Sequence, residues 1–230
     1  MRLSIAIMAV PEREAHVNAM RARLRPQIAA ARAAGLDVAG TDVFYDTDHA
    51  GPWFCWEQAW RLHAPHGSTH HVVLQDDLRF CADLPATLWK LMQARPGDMI
   101  SGFLPRKSVD AAAAKDLRWV RTRRFLLAQL VMMPTDLGDE ALQWIADHEG
   151  TDLAADWRAH DDVRMAAFLD SRRLPVWVPV PHPVEHVGDE IGGSVMGHNF
   201  SPTGRRARAW LGEDTYGAEL PWHDLRHVRE

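Results

Sequence analysis

Two adjacent carboxylates, Asp76 and Asp77, close the run Thr69-His70-His71-Val72-Val73-Leu74-Gln75-Asp76-Asp77. An apolar run that ends on acid reads as a buried strand whose C-terminal tip carries charge into a cleft. Successive strand residues point to opposite faces, so the two aspartates cannot both enter the core. At least one is expected to face the crevice at the strand's carboxyl end, where open α/β sheets bind ligands. Hard oxygen ligands there suit Mg²⁺ or Mn²⁺, and such a cation suits a diphosphate. The same pair equally suits capping of the next helix or turn.

Further chemistry-bearing residues follow in a definite order. Ser101-Gly102 ends a later short strand, where a glycine lets a bulky ligand approach the backbone. His160-Asp161-Asp162 leads a helix; a carboxylate there either accepts the proton of an acceptor hydroxyl or caps the helix. Val184-Glu185-His186-Val187-Gly188 lies past the last strong strand. It offers His186 as a neutral imidazole ligand, with His182 a weaker candidate, although thirteen histidines make an accidental surface placement easy. One or both of Asp76 and Asp77, together with His186, would anchor a cation and leave positions for phosphate oxygens and water. Such a cation neutralises the charge on a departing diphosphate. Pro11 and Arg13 after the first strand, and Asp46 after the second, lie where a nucleotide would sit, Asp46 for a base or ribose contact.

Alternating elements must position these residues. Leu3 to Val10 reads as a buried strand, and Val17, Met20, Leu24, Ile28 and Ala31 recur at helical spacing, with Pro26 expected to kink or divide that helix. Val38 to Phe44 gives a second strand, ending in the turn-rich Asp46–Pro52 loop. Trp53, Trp56 and Trp60 share one helical face and read as core rather than ligand stacking. Helices around Leu84–Met92, Leu142–Ile145 and Val163–Leu169 alternate with strands at Met99–Phe103 and Pro175–Val180; Phe125–Met133 reads as strand or buried helix. The order implies an α/β fold with a mainly parallel central sheet flanked by helices. Leu104 to Arg124 is expected to be an irregular surface loop and the tail from His198 loosely ordered.

Composition narrows the class. The chain has 230 residues, 47% of them hydrophobic and 25% charged, which suits one sizeable globular domain. A net charge of −5 excludes a uniformly basic nucleic-acid coat but leaves room for a local basic face. Arg106, Lys107, Arg123 and Arg124 are the candidates for such a face; they suit DNA phosphates, a phosphorylated glycan or plain solubility. Cys55 and Cys81 form neither a metal-site spacing nor a disulfide framework, so a reducing cytoplasm fits best. No signal-peptide layout and no membrane-length apolar run is present.

The order Asp76-Asp77, Ser101-Gly102, His160-Asp161-Asp162, His186 resembles the GT-A glycosyltransferases over roughly residues 3–197. Leu74-Gln75-Asp76-Asp77 looks like their Glu-Asp-Asp variant with Gln75 in place of Glu. Pro183-Val184-Glu185-His186-Val187-Gly188-Asp189-Glu190 is similar to the C-terminal signature of small bacterial and bacteriophage members. The resemblance implies a GT-A-like, single Rossmann-like domain at 1–197, with a polar Arg-rich tail at 198–230 packing on or extending it. It implies transfer of a hexose from a nucleotide-sugar, a UDP-sugar by expectation, with Mn²⁺ or Mg²⁺ on Asp77 and His186. Pro11, Arg13, Asp46, Gln75, Asp76, Ser101 and Gly102 would then face the donor. Asp161 or Asp162 would be the base of an inverting reaction, with Asp162, last in its motif, preferred. Several phage members act on hydroxylated DNA bases, so 5-hydroxymethylcytosine in DNA is the expected acceptor and a cell-surface glycan the alternative. A nucleotidyltransferase and a non-catalytic DNA-binding protein are the rival classes.

Overall fold

A computed structural model describes residues 1–125, 128–151, 160–191 and 206–230. In chain order the elements are β1 (Leu3–Ala9), α1 (Glu14–Ala33), β2 (Val38–Tyr45), α2 (Pro52–Arg61), β3 (His70–Gln75), β4 (Leu78–Phe80) and α3 (Leu84–Ala94). Next come β5 (Met99–Ser101), α4 (Lys107–Ala113), β6 (Trp119–Thr122), β7 (Leu130–Pro134), α5 (Thr135–His148) and α6 (Asp161–Arg172). The last are β8 (Val176–Pro179), β9 (Val184–His186), α7 (Gly188–Ile191) and β10 (His227–Arg229). Among the described residues eight strands form one sheet in the order β10-β6-β8-β5-β7-β3-β1-β2, and β4 pairs with β9 in a separate ribbon. Strands β1, β2, β3, β5 and β8 run one way; β7, β6 and β10 run against them. The fold is therefore α/β with a large, mainly parallel sheet between helices.

The period-two alternation of the strands sorts the core onto two faces. Leu3, Ile5, Ile7, Val72 and Leu74 pack with α1 and α3 on one side. Ala6, Met8, Val73, Val131 and Met133 pack with α2, α5 and α6 on the other. On that second face Trp53, Trp56 and Trp60 stack, with successive ring centroids 5.5 Å apart. The stripe is core, as its helical spacing implies. Trp60 fixes a residue on another helix. A side chain on Gly138 of α5 would put its Cβ 1.9 Å from the Trp60 indole, so the helix carries glycine despite its propensity cost.

Two regions are more ordered than their polarity suggests. The 104–124 stretch contains α4 and β6, because Val109, Ala112, Trp119 and Val120 are fully buried. The described tail, 206–230, returns through buried Trp222, whose carbonyl accepts the Trp119 indole N–H at 3.0 Å, and ends as β10 against β6. The expected boundary at 197/198 lies outside the described residues. Pro26 lies inside an undivided α1.

Candidate active site

The parallel strands β1 and β3 end side by side, and their tips hold the carboxylate pair. Asp76 accepts the Val10 N–H at 2.9 Å on one oxygen and Arg13 Nη1 at 2.5 Å on the other. The short helical turn Pro11–Arg13, opened by exposed Pro11, sets the direction of Arg13. The same Nη1 lies 3.1 Å from Asp77 Oδ2, so one guanidinium bridges both acids. Asp77 Oδ2 is also 3.2 Å from His186 Nε2. Its other oxygen, Oδ1, is buried and has no hydrogen-bond partner.

The two aspartates are tuned in opposite directions. Burial pushes the Asp76 carboxyl above its ordinary range and outweighs the attraction of Arg13. Burial also opposes ionisation of Asp77, but the hydrogen bond and charge of His186, together with Arg13, hold that carboxyl below its ordinary range. The Asp77 position is thus built to stay anionic in a nearly dry setting.

His186 is held by its neighbours on every side. β9 pairs antiparallel with β4, setting His186 opposite Leu78, one residue from Asp77. Its N–H donates to Glu185 Oε1 at 2.9 Å, and its carbonyl accepts from Arg206 at 3.0 Å. Val187 donates to the Asp77 carbonyl at 2.8 Å. Phe103, just past β5, sets its ring 6.3 Å from the imidazole. Gly188 keeps the space open: a Cβ there would lie 2.9 Å from His186 Nε2 and 3.0 Å from Asp77 Oδ2.

Asp161 stands at the N-terminus of α6, which runs back toward the start of β8 and so begins at the crevice end. One of its oxygens accepts the Asp162 N–H at 2.9 Å; Oδ2 is buried without a partner. Burial first, and the Asp162 charge second, lift its carboxyl from 3.8 to about 7. The N-cap residue is His160, which makes no side-chain cap bond. Asp162 is half-buried. The Cys55 thiol feels Asp46, Asp76 and Asp161 together, and burial with those charges lifts it to about 12. The tips of β2 and β3 and the start of α6 therefore all lie near enough to Cys55 for their carboxylates to act on it.

The remaining candidates divide. Both Asp46 oxygens accept backbone N–H groups, from Ala50 and Gly51 at 2.9 Å each, and so shape the loop that leads into α2. Gln75 is half-buried at the end of β3. Ser101 donates to the Phe103 carbonyl at 3.1 Å, and a Cβ on Gly102 would lie 3.0 Å from the Leu130 side chain. That pair thus serves the turn carrying Phe103 beneath His186. His182 is fully buried between the Pro179 and Leu104 carbonyls and is a packing residue.

The basic candidates are not gathered at the crevice. Arg106 is ion-paired with Glu230 at 2.8 Å, and Lys107 opens α4. Thr122 registers with Val176, the first residue of β8, so exposed Arg123 and Arg124 leave β6 at the amino end of β8. The Asp76-Asp77 crevice lies at the carboxyl ends of the strands parallel to β8. Residues that sequence reasoning did not assign to this site are Phe103, Arg206 and Gln129. Arg206 reads from sequence as one basic residue of the Arg-rich tail, and its place at His186 depends on a separate segment; Gln129, a polar residue inside the apolar 125–133 run, did have a signal.

No family model matches the chain, and no curated protein matches it. Among solved structures, a Thermus thermophilus protein described as mannose-1-phosphate geranyltransferase aligns with 82% of this chain and 77% of its own, at 11% identity and a TM-score of 0.43. Residues 1–349 of S. aureus TarS align with 83% of this chain at 11% identity and a TM-score of 0.49. The chain spans 62% of that TarS fragment. Among the described residues no helix is long and apolar enough to cross a membrane.

Proposed function

We propose that the chain is a glycosyltransferase that moves a sugar from a nucleoside-diphosphate sugar to an acceptor hydroxyl with Mn²⁺ or Mg²⁺. The observation that carries this reading is the Asp77–His186 pair, 3.2 Å apart, with Asp77 Oδ1 buried and unpartnered and Gly188 leaving the space beside it clear. Among the described residues no group of three His, Cys, Asp or Glu side chains gathers as a metal site. A donor set of one carboxylate and one imidazole leaves most of a divalent cation's shell to substrate phosphates and water; the carboxylate suits Mg²⁺ or Mn²⁺, and the imidazole is the softer ligand of the two. The ordered motifs and the α/β crevice agree with the GT-A resemblance.

In this reading Asp77 and His186 would hold the cation, and its chemistry would be to offset charge on the departing diphosphate. Arg13, already bridging Asp76 and Asp77, supplies a second positive group to the same phosphates. Asp161 receives the acceptor proton: a carboxyl lifted to about 7 is poised near neutral pH, and its Oδ2 is unfilled. Its neighbour Asp162, preferred from motif position alone, stands as the competing base. A base in line with the acceptor implies inversion at the anomeric carbon.

A screen of nucleotide sugars with Mn²⁺, scored by release of nucleoside diphosphate, tests the reading. Turnover with one donor, lost in chelator and restored by metal, is expected. Consumption of a nucleoside triphosphate with release of pyrophosphate would favour a nucleotidyltransferase instead. Offering hydroxymethylcytosine DNA, unmodified DNA and a bacterial glycan with the same labelled donor then assigns the acceptor. The ion-paired Arg106 and the distant Arg123 and Arg124 lend the DNA acceptor no support.

A further inference from the structure

Gln129 is 1% exposed, yet its side-chain carbonyl has no hydrogen-bond partner. Burying an amide oxygen with nothing to accept from is costly, so such a group marks strain, a bound water or a ligand. Its backbone is fixed: the Gln129 carbonyl accepts the Gln75 N–H at 2.9 Å, extending the β3–β7 ladder by one step. Gln129 is thus directly across from Gln75, the residue before Asp76. By strand alternation both glutamines fall on the face of Val73 and Val131, the face covered by α2 and α6. Asp161, with its own unpartnered Oδ2, begins α6 on that face.

We propose that Gln129 is a sugar-binding residue, its side-chain carbonyl accepting a hydroxyl of the hexose carried by the donor. This rests on the glycosyltransferase reading above. A hexose attached to a diphosphate at Asp77 would lie at the same end of the sheet as Gln75 and Gln129. Its hydroxyls are donors, and with Asp77 assigned to the cation and Asp161 to the acceptor proton, Gln129 Oε1 is the unfilled acceptor left at that end of the sheet among these residues.

The test compares wild type with Gln129→Met, which keeps length and volume but removes the carbonyl, and with Gln129→Glu, which keeps an acceptor. Melting temperature is measured first without ligand, then affinities for UDP and for a panel of UDP-hexoses with Mn²⁺. Removing an unsatisfied buried oxygen should leave the free Gln129→Met variant as stable as wild type or raise its Tm by about 2–4 °C. Affinity for UDP should be unchanged, while affinity for the preferred UDP-hexose falls about 3- to 10-fold, the worth of one hydrogen bond. Gln129→Glu should retain more of the hexose preference than Gln129→Met. A lower Tm in the methionine variant, an unchanged UDP-hexose affinity, or equal loss for UDP and UDP-hexose would each overturn the assignment while leaving the glycosyltransferase reading in place. Wild type that binds no nucleotide or nucleotide sugar would overturn both.

Discussion

Replacing Asp161 with Asn removes a buried carboxyl whose folded-state pKa is lifted from 3.8 to about 7. Between those values the folded chain keeps a proton that the unfolded chain has released, so this group's contribution to stability falls as pH rises through that window. The penalty is absent below about pH 4 and complete above pH 7. Lifting the carboxyl that far corresponds to about 4 kcal/mol at pH 8 and about 1 kcal/mol at pH 4.5. The asparagine variant keeps the oxygen that accepts the Asp162 N–H and puts an uncharged amide nitrogen in place of the unpartnered oxygen. It should therefore gain up to about 4 kcal/mol over wild type at pH 8 and about 1 kcal/mol at pH 4.5.

The comparison must be between proteins rather than along one curve, because buried His71 acts with the opposite sign in the same window. Burial holds its ring neutral down to about 4, with Ser4 at 2.7 Å on Nδ1 and the Ala59 carbonyl at 3.1 Å on Nε2. The stability it contributes is present above pH 6.5 and lost as pH falls toward 4, which offsets much of the Asp161 slope in wild type. Urea unfolding followed by tryptophan fluorescence at pH 4.5 and 8 measures both proteins. A difference that is the same at the two pH values, or an asparagine variant less stable at pH 8, would refute the electrostatic account of this helix terminus.

Other substitutions probe the remaining parts. Arg13→Gln removes the cation that bridges Asp76 and Asp77; direct Mn²⁺ titration should show tighter metal binding, while nucleoside diphosphate affinity falls about tenfold, the loss of one charge-assisted hydrogen bond. Gly188→Ala sets a methyl against His186 Nε2 and Asp77 Oδ2; Mn²⁺ affinity should drop about 10- to 100-fold, the usual cost of disturbing the groups that orient metal ligands, with nucleotide-free Tm little changed. Gly138→Ala drives a carbon into Trp60; urea denaturation should show a loss of about 1–3 kcal/mol despite alanine's better helix propensity.

What the sequence made legible follows from how far each signal travels along the chain. The strand tips were readable because apolar runs and their polar ends are contiguous: Leu3–Ala9, His70–Gln75 and the Asp76-Asp77 pair lie where periodicity and position put them. The α6 start was equally local. The Trp53–Trp56–Trp60 stripe gave its buried face, but its demand for a glycine at 138 appears only when α5 packs on it. Region 104–124 looked irregular because α4 and β6 are short and their burial depends on strands distant in sequence. The clamp on His186 from Arg206 and the unfilled carbonyl of Gln129 are likewise tertiary. Positive charge is hard to place from sequence for the same reason: Arg106 has a partner 124 residues away, and the direction of β6 carries Arg123 and Arg124 away from the crevice.

The most direct test of the central claim is an anomalous-scattering map from crystals grown with Mn²⁺ and the nucleoside diphosphate of the preferred donor. The account predicts a manganese peak within bonding distance of Asp77 and His186, sharing oxygens with the diphosphate, while Arg13 contacts the same phosphates. A diphosphate bound at the β3 tip with no manganese beside Asp77, or bound elsewhere on the chain, would contradict it.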